Sequence, residues 1–116
     1  MPHRLIVTQG LANLLSVLSH PQRIRIVEEL RDGEVDVKSL QDALGISHSG
    51  VSQHLMLLRA HRIVAEKKQG RQVFYRLRQP KLAAWLLAAT EFLGQEGEAQ
   101  ELQKAIRKTQ KAWTLK

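Results

Sequence analysis

The stretch GISHSGVSQHLMLLRA, residues 45–60, places two histidines, three serines and a glutamine among apolar residues. Imidazole, hydroxyl and amide groups can ligate a metal ion, transfer protons in catalysis, or form hydrogen bonds with the edges of nucleic-acid bases. The spacing of these side chains, and the elements that must position them, decide among the three kinds of chemistry.

The histidines are poorly spaced for a metal site. Two ligands on one helical face need a separation of three or four residues, whereas His48 and His54 differ by six and point about 120° apart. His54 and His61 share a face but lie about 10 Å apart along a helix. His3 and His20 could join a site between helices or subunits, although no pattern requires it. Because the chain also has no cysteine, we expect no metal site, no thiol chemistry and no cofactor.

Catalytic patterns are missing from the sequence as well. The acidic residues between positions 28 and 36 resemble a solvated stretch around a helix end. Neither a glycine-rich phosphate loop nor a nucleophile elbow occurs. We therefore expect that the protein is not an enzyme.

The positive charge is concentrated in one segment. The net charge is +7, and residues 59–81 hold eight basic residues against the single acid Glu66, which is also +7. The rest of the chain sums to zero. A solvated basic face is one explanation, but this concentration favours contact with a polyanion.

Helical periodicity organises the first half of the chain. Leucines at helical spacing predict a helix over residues 5–18. Ser19 is the predicted N-cap of a second helix, with Pro21 in its first turn. That helix should bury Ile24, Val27 and Leu30, with Ile26 beside them, and end at Gly33. A short third helix should point Leu40 and Leu44 inward and stop at Gly45.

The opening stretch predicts a fourth helix. Ser47 stands at the N-cap position, and the helix should run to about Ala60 with Val51, Leu55 and Leu58 as its buried stripe. The polar side chains then occupy other faces. Two short helices joined by a glycine-containing turn predict a helix-turn-helix.

A β-hairpin should follow the helix-turn-helix. Ile63 and Val64, and later Val73, Phe74 and Tyr75, are β-prone runs on either side of the polar tip KKQGR, in which Gly70 supplies the turn. Beyond Pro80 the helical period returns, and Gly94 and Gly97 should interrupt it. A last basic helix carries Leu102, Ile106 and Trp113 on one side.

These elements predict the fold class. The order is four helices, a two-stranded hairpin and two more helices: a mainly α winged helix-turn-helix with a small β-hairpin wing. At 116 residues, we expect a single domain spanning residues 1–116. MPHRLIVTQG lacks the apolar run of a signal peptide, and no segment has the apolar length of a membrane span, so we expect a cytoplasmic protein.

The fold turns the polar stretch into a candidate surface for double-stranded DNA. The first turns of a helix in the major groove bring short polar side chains to base edges, and Gln53 is suited to a bidentate contact with adenine. Free N–H groups at the helix start favour phosphate, and basic wing residues favour phosphates or the minor groove. The predicted DNA-binding residues are Ser47, His48, Ser49, Ser52, Gln53, His54, Arg59, Lys67, Lys68 and Arg71.

Through these motifs the chain resembles the ArsR/SmtB family of winged-helix repressors. The similarity runs from about residue 17 to residue 78 and is carried by SHPQR, VSQHLMLLR and GRQVFYRL. The resemblance implies a homodimer that binds an inverted-repeat operator, usually as a repressor. It also implies pairing of the first and last helices, here roughly residues 5–18 and 81–93, extended by residues 98–113. The dimer residues would be Leu11, Leu14, Leu15, Leu18, Leu82, Trp85, Leu86, Ala89, Phe92 and Leu93. The alternative is that these apolar faces belong only to the core within one chain.

The chain departs from the family at its usual sensor sites. Where metal-sensing members place cysteines, this chain has Asp36 and Lys38. The other common site is matched by Gln79 and Lys81, then Phe92 and Gln95, none of which is the family ligand. We therefore expect a regulator without the standard metal or thiol switch. A separate sensor protein or an unidentified small ligand could replace that switch.

A second hypothesis comes from a different class of function. The chain could be a winged-helix module that binds a protein partner and touches DNA only weakly. The basic C-terminal helix, with Lys104, Arg107, Lys108 and Lys111 beside Ile106 and Trp113, could serve such docking. The concentration of charge beside the fourth helix favours DNA over this alternative.

Overall fold

The structure is a computed structural model that describes residues 2–94 and 99–114. It contains two compact units, one ending at Pro80 and the other beginning at Lys81. The first unit consists of α1 (Pro2–Leu18), α2 (Pro21–Glu29), β1 (Val35–Asp36), α3 (Val37–Leu44), α4 (His48–Ala60), β2 (Val64–Gln69) and β3 (Gln72–Leu77). The second consists of α5 (Lys81–Ala89), one turn of 3-10 helix (Thr90–Phe92) and α6 (Gln100–Thr114).

The start of α2 differs from the prediction. His20, and not Ser19, is the N-cap, because its Nδ1 accepts the backbone N–H of Gln22 at 3.0 Å. The Ser19 hydroxyl instead donates backward to the carbonyl of Ser16 at 2.6 Å, which closes the end of α1. Pro21 occupies the first turn of α2 as predicted.

The buried face and the end of α2 also require correction. Ile26, Val27 and Leu30 are buried, whereas Ile24 is 41% exposed and lies outside the core. The helix ends at Glu29 with Leu30 as its C-cap, so the prediction that Gly33 caps it is wrong. Gly33 instead adopts φ +133° in the loop toward β1.

The predicted hairpin is present, and a third, two-residue strand extends it into a three-stranded antiparallel sheet. The strand order is β1–β3–β2, and β1 adds two pairs, Val35 with Tyr75 and Asp36 with Phe74. The hairpin itself pairs Val64 with Leu77 through to Gln69 with Gln72. The tip is therefore only Gly70 and Arg71, with Gly70 at φ +63°.

The core of the first unit lies among α2, α3, α4 and the base of the wing. Its most completely buried side chains come from each of these elements, and burial of each contributes about 1.5–3 kcal/mol. They are Ile26, Val27, Leu30, Leu40, Val51, Leu55, Leu58 and Val64. The predicted stripe of α4 is thus confirmed, and Leu44 is half-buried at the end of α3.

In the second unit, α6 contacts the segment that follows α5. The amide of Gln110 donates to the hydroxyl of Thr90 at 2.9 Å. Gly94, at φ +70°, ends the helical segment as predicted, and a Cβ there would lie 3.3 Å from Ile106. The predicted break at Gly97 lies outside the described residues. No helix in the described part of the chain is long and apolar enough to cross a membrane.

Candidate nucleic-acid interface

A well-defined turn holds α4 against α3. Gly45 adopts the left-handed conformation, φ 67° and ψ 29°, and its N–H donates to the carbonyl of Gln41 at 2.9 Å. The Ser47 hydroxyl then accepts the N–H of Gly50 at 3.1 Å, as the predicted N-cap should. Both ends of this turn are therefore fixed by local hydrogen bonds, which sets the direction of α4.

The exposed face of α4 carries the side chains suited to reading DNA. Opposite the buried stripe, Ser49 and Gln53 are exposed, and Ser52 is half-buried beside them. Met56 lies on the same side and is 69% exposed. Met56 is not among the predicted DNA-binding residues, although an apolar residue outside the buried stripe of α4 is a signal that points to it.

His48 lies at a groove between α3, α4 and the wing. This open groove of about 390 Å³ is also lined by Asp36, Lys38, Arg71 and Gln72. The carboxylate of Asp36 caps α3 by accepting the N–H of Ser39 at 3.1 Å. Hydrogen bonds from Ser39 keep the pKa of the Asp36 carboxyl below its usual range. The groove thus brings the start of α4 next to the wing tip.

His54 faces away from this groove. Its ring lies 4.4 Å from that of His20, centroid to centroid, at an interplanar angle of 53°. Burial lowers the pKa of His54, and the nearby charges of His20 and Arg23 add to the effect. His54 therefore packs on the start of α2, where a neutral imidazole is favoured.

Arg59 is held by the wing. Its Nη1 donates to Oε2 of Glu66 at 3.0 Å, and the Tyr75 hydroxyl donates to the same oxygen at 2.8 Å. Glu66 and Tyr75 are cross-strand partners, and the Glu66 side chain is only 16% exposed. Burial and the bond to Glu66 raise the pKa of Tyr75 to about 12. The three side chains form what we call the clasp, which joins the end of α4 to both strands of the hairpin.

The basic residues of the wing are distributed over both faces of the hairpin. Lys67 and Lys68 lie within β2, opposite Phe74 and Val73, beside the two-residue tip. Because neighbouring strand residues point to opposite faces, Lys68 shares the face of Glu66 and Lys67 does not. The Nζ of Lys67 is 3.8 Å from a carboxylate oxygen of Glu34. Arg71 is exposed in the two-residue tip.

The arrangement supplies hydrogen-bond donors, acceptors and positive charge. Among residues 2–94 and 99–114, no three histidine or acidic side chains cluster where they could hold one metal ion. What the surface offers is one polar helix face with a basic hairpin next to it. This combination suits a duplex, because the helix can enter a groove while the wing contacts phosphates.

The predicted dimer residues fall into two groups. In α1, Leu11 is 55% exposed and Leu15 is 53% exposed, while Leu14 is half-buried and Leu18, at 3% exposure, belongs to the core. In the second unit, Trp85, Phe92 and Leu93 are exposed, and Leu82, Leu86 and Ala89 are half-buried. Sequence reasoning missed three further exposed apolar side chains of α1, namely Leu5, Ile6 and Val7.

Comparison with known proteins gives the same picture. Residues 20–66 match the family "bacterial regulatory protein, arsR family". A biofilm growth-associated repressor of Xylella fastidiosa is 42% identical over 89 residues, which cover 76% of this chain and 78% of that repressor. The repressor SmtB of Mycobacterium tuberculosis is 38% identical over 90 residues, 78% of this chain and 67% of SmtB.

A solved structure agrees with these sequence matches. The transcriptional repressor BigR from Xylella fastidiosa superposes with a TM-score of 0.70 at 35% identity, covering 79% of this chain and 94% of BigR. These matches confirm the family and the winged helix-turn-helix fold that were predicted from the sequence. The chain belongs to the arsR family of bacterial regulatory proteins and is a DNA-binding transcriptional regulator.

Proposed function

We propose that the protein is a homodimeric repressor that binds an inverted-repeat operator, with one copy of α4 in the major groove of each half-site. The proposal rests on the combination, in α4, of a firmly anchored helix and an exposed polar face. The helix is anchored by a buried stripe and a capped start, while its polar face stays exposed beside a basic wing.

The contacts follow from side-chain chemistry. Gln53, exposed in the second turn of α4, would bind adenine through N6 and N7. Ser49, Ser52 and His48 would contact neighbouring bases or phosphates, and the N–H groups behind Ser47 would face a phosphate. His54 would support the helix through His20.

The wing would supply electrostatic affinity. Arg71 in the tip, together with Lys67 and Lys68, would contact phosphates or the minor groove. Arg59 was predicted to bind DNA directly, but Glu66 already accepts a hydrogen bond from its guanidinium. We therefore assign Arg59 to positioning the wing and not to neutralising a phosphate.

The dimer interface would use the exposed apolar side chains at both ends of the chain. Leu11 and Leu15 of α1 and Trp85, Phe92 and Leu93 of the second unit leave apolar surface uncovered. Surface of this kind marks an interaction site more often than it stays bare. The whole chain would then act as one DNA-binding domain with dimerisation helices at its two ends.

The proposed repressor would respond to something other than the metals and thiols of its relatives. The chain contains no cysteine, and Lys38 stands where a metal ligand would be needed, so a cation would be repelled there. Release from the operator would therefore depend on a separate sensor protein or on a small ligand.

The test is selection from a random pool of duplex DNA by the purified full chain at moderate salt, with and without added divalent metals. We expect recovery of one imperfect palindrome, equally in both conditions. Recovery only in the presence or only in the absence of metal would contradict the proposed lack of a metal switch. Recovery of no preferred sequence would contradict the operator.

A variant of Gln53 tests the reading face. Gln53→Ala should weaken operator binding by about 1–3 kcal/mol per half-site and relax the preference at one base pair. Gln100→Ala, the same change at the exposed start of α6, is the matched control and should leave selection unchanged. If Gln53→Ala kept the original preference, the assigned face of α4 would be wrong.

The interaction module is the second candidate function. It is favoured by one observation: Lys104, Arg107, Lys108 and Lys111 are all exposed and are spaced i, i+3, i+4, i+7, which places them on one face of α6. Failure to select any DNA, together with capture of a stoichiometric protein partner, would support this reading over the repressor.

A further inference from the structure

Met56 is the one large apolar side chain on the exposed face of α4. It is 69% exposed, although the buried stripe of the same helix is almost completely covered. Its neighbours on that face are Ser49, Ser52 and Gln53. A methionine in this position adds nothing to the core of the first unit, so its role lies on the surface.

The exposed Met56 side chain lies at the edge of an open groove. Met56 lines an open groove of about 310 Å³ between α4 and the wing, together with Ser52, Arg59 and Val73. Val73 adds an apolar side chain to the lining of this groove. A thioether with three rotatable bonds can adapt its shape to a group that enters there.

The spacing along α4 matches that of a helix reading the major groove. A recognition helix that follows the groove uses side chains at i, i+3, i+4 and i+7. Counting from Ser49, these positions are Ser52, Gln53 and Met56. Met56 stands about 10.5 Å along the axis from Ser49, which corresponds to about three base-pair steps.

The chemistry of the Met56 side chain determines which group of a base it can contact. A thioether donates no hydrogen bond and is only a weak acceptor, so it cannot pair with the polar groups of a base edge. The C5-methyl of thymine is the apolar group that the four bases display in the major groove. We infer that Met56 is a specificity residue that packs on the methyl group of one thymine in each half-site, about three base pairs from the position contacted by Ser49. This inference rests on the proposed operator binding.

The experiment replaces the thymines of the selected operator one position at a time with deoxyuridine, which removes only the methyl group. For the unaltered full chain, one position per half-site should lose about fourfold in affinity, or about fifteenfold when both half-sites are changed, from the loss of one buried methyl each. The other thymines should show less than a twofold change.

Protein variants then assign the effect to Met56. In Met56→Ala the deoxyuridine penalty at that position should fall to less than twofold, whereas Met56→Leu, which keeps an apolar side chain, should retain most of it. Because the side chain is exposed, all three proteins should fold alike, and circular dichroism checks this. The ¹³C-methyl resonance of Met56 should also shift on binding the thymine operator and shift less with the deoxyuridine form.

The outcomes separate this inference from the proposed function. A selected operator with no deoxyuridine-sensitive position, or a penalty that persists in Met56→Ala, would overturn the role of Met56 and leave operator binding standing. Failure to select any operator would overturn both. An operator without thymine in the half-site would also refute the role of Met56.

Discussion

Tyr75 provides a sensitive probe of the clasp. Its hydroxyl donates to Glu66 at 2.8 Å, and Glu66 also accepts the guanidinium of Arg59. Burial of the phenol disfavours its ionisation, and the hydrogen bond to the charged carboxylate of Glu66 adds to the effect. The pKa of Tyr75 is raised from its ordinary value of 10.0 to about 12. Tyr75 is also the single tyrosine of the chain, so its titration can be observed without overlap from another phenol.

The raised pKa has a defined consequence for stability. Between pH 10 and pH 12 the unfolded chain has lost the phenolic proton and the folded chain keeps it, so the free energy of unfolding falls as the pH rises. The rise from 10.0 to about 12 corresponds to at most about 2.7 kcal/mol, and solvent screening of the partly buried phenol reduces this figure. This contribution is complete below pH 10 and is lost as the pH rises through the folded-state pKa of about 12.

The assay is the tyrosinate absorbance at 295 nm, recorded with circular dichroism to confirm that the chain is folded at each pH. We expect a midpoint near 12 in the unaltered protein. In Glu66→Gln the midpoint should be lower but still above 10, because the burial that raises the pKa remains. Tyr75→Phe is the control, and its signal should be absent. The stability difference between the unaltered protein and Tyr75→Phe should shrink between pH 10 and pH 12, and that change with pH isolates the ionisation of this one group.

Two results would refute this reasoning. A midpoint near pH 10 in the folded protein would show that the hydroxyl is not bonded to Glu66. An unchanged midpoint in Glu66→Gln would show that burial alone raises the pKa, and the clasp would then not link Tyr75 to α4.

Two further predictions concern the charge and the start of α4. In operator binding by the proposed dimer, Arg71→Gln should reduce the slope of log K against log salt by about 1.8, or about 0.9 for each protomer. Arg59→Gln should change this slope by less than half as much as Arg71→Gln, because Glu66 already neutralises the guanidinium of Arg59. If both variants reduced the slope equally, Arg59 would have to be counted among the residues that contact phosphate. Ser47→Ala should lower the free energy of unfolding by about 1 kcal/mol in urea titrations. Ser52→Ala, the same change inside α4, should cost less than about 0.5 kcal/mol, and similar losses would show that the cap is not specific to Ser47.

The helix-turn-helix that carries the proposed reading face was predictable because its signals are local. Gly45 is needed where the backbone turns left-handed, and Ser47 supplies the cap two residues later. Val51, Leu55 and Leu58 recur at helical spacing and are buried as expected. Each of these features depends on neighbours within one or two turns, so the sequence alone contains the information.

The features that the sequence did not reveal depend on contacts between distant residues or on competition between similar groups. The short strand β1 exists because Val35 pairs with Tyr75, forty residues away, and two residues carry no periodicity of their own. Ser19 and His20 can both cap a helix, and the structure uses the imidazole. Similarly, Ile24 is as apolar as Ile26, and only the packing of α2 against its neighbours leaves Ile24 exposed.

The position of Glu66 in the basic segment suggests that the placement of charges on the wing matters more for DNA binding than the total positive charge. A carboxylate within a segment of eight cations reduces the attraction of that segment for a polyanion. If affinity for phosphate were the only requirement, a neutral residue there would serve better. Glu66 instead lies largely covered between Arg59 and Tyr75 and connects the end of α4 to both strands of the hairpin. In the proposed complex α4 and the wing would contact the same duplex, and a fixed relative direction of the two would offset the loss of one charge. The remaining cations, including Arg71 at the tip, are then presented in a defined direction rather than as a diffuse basic surface.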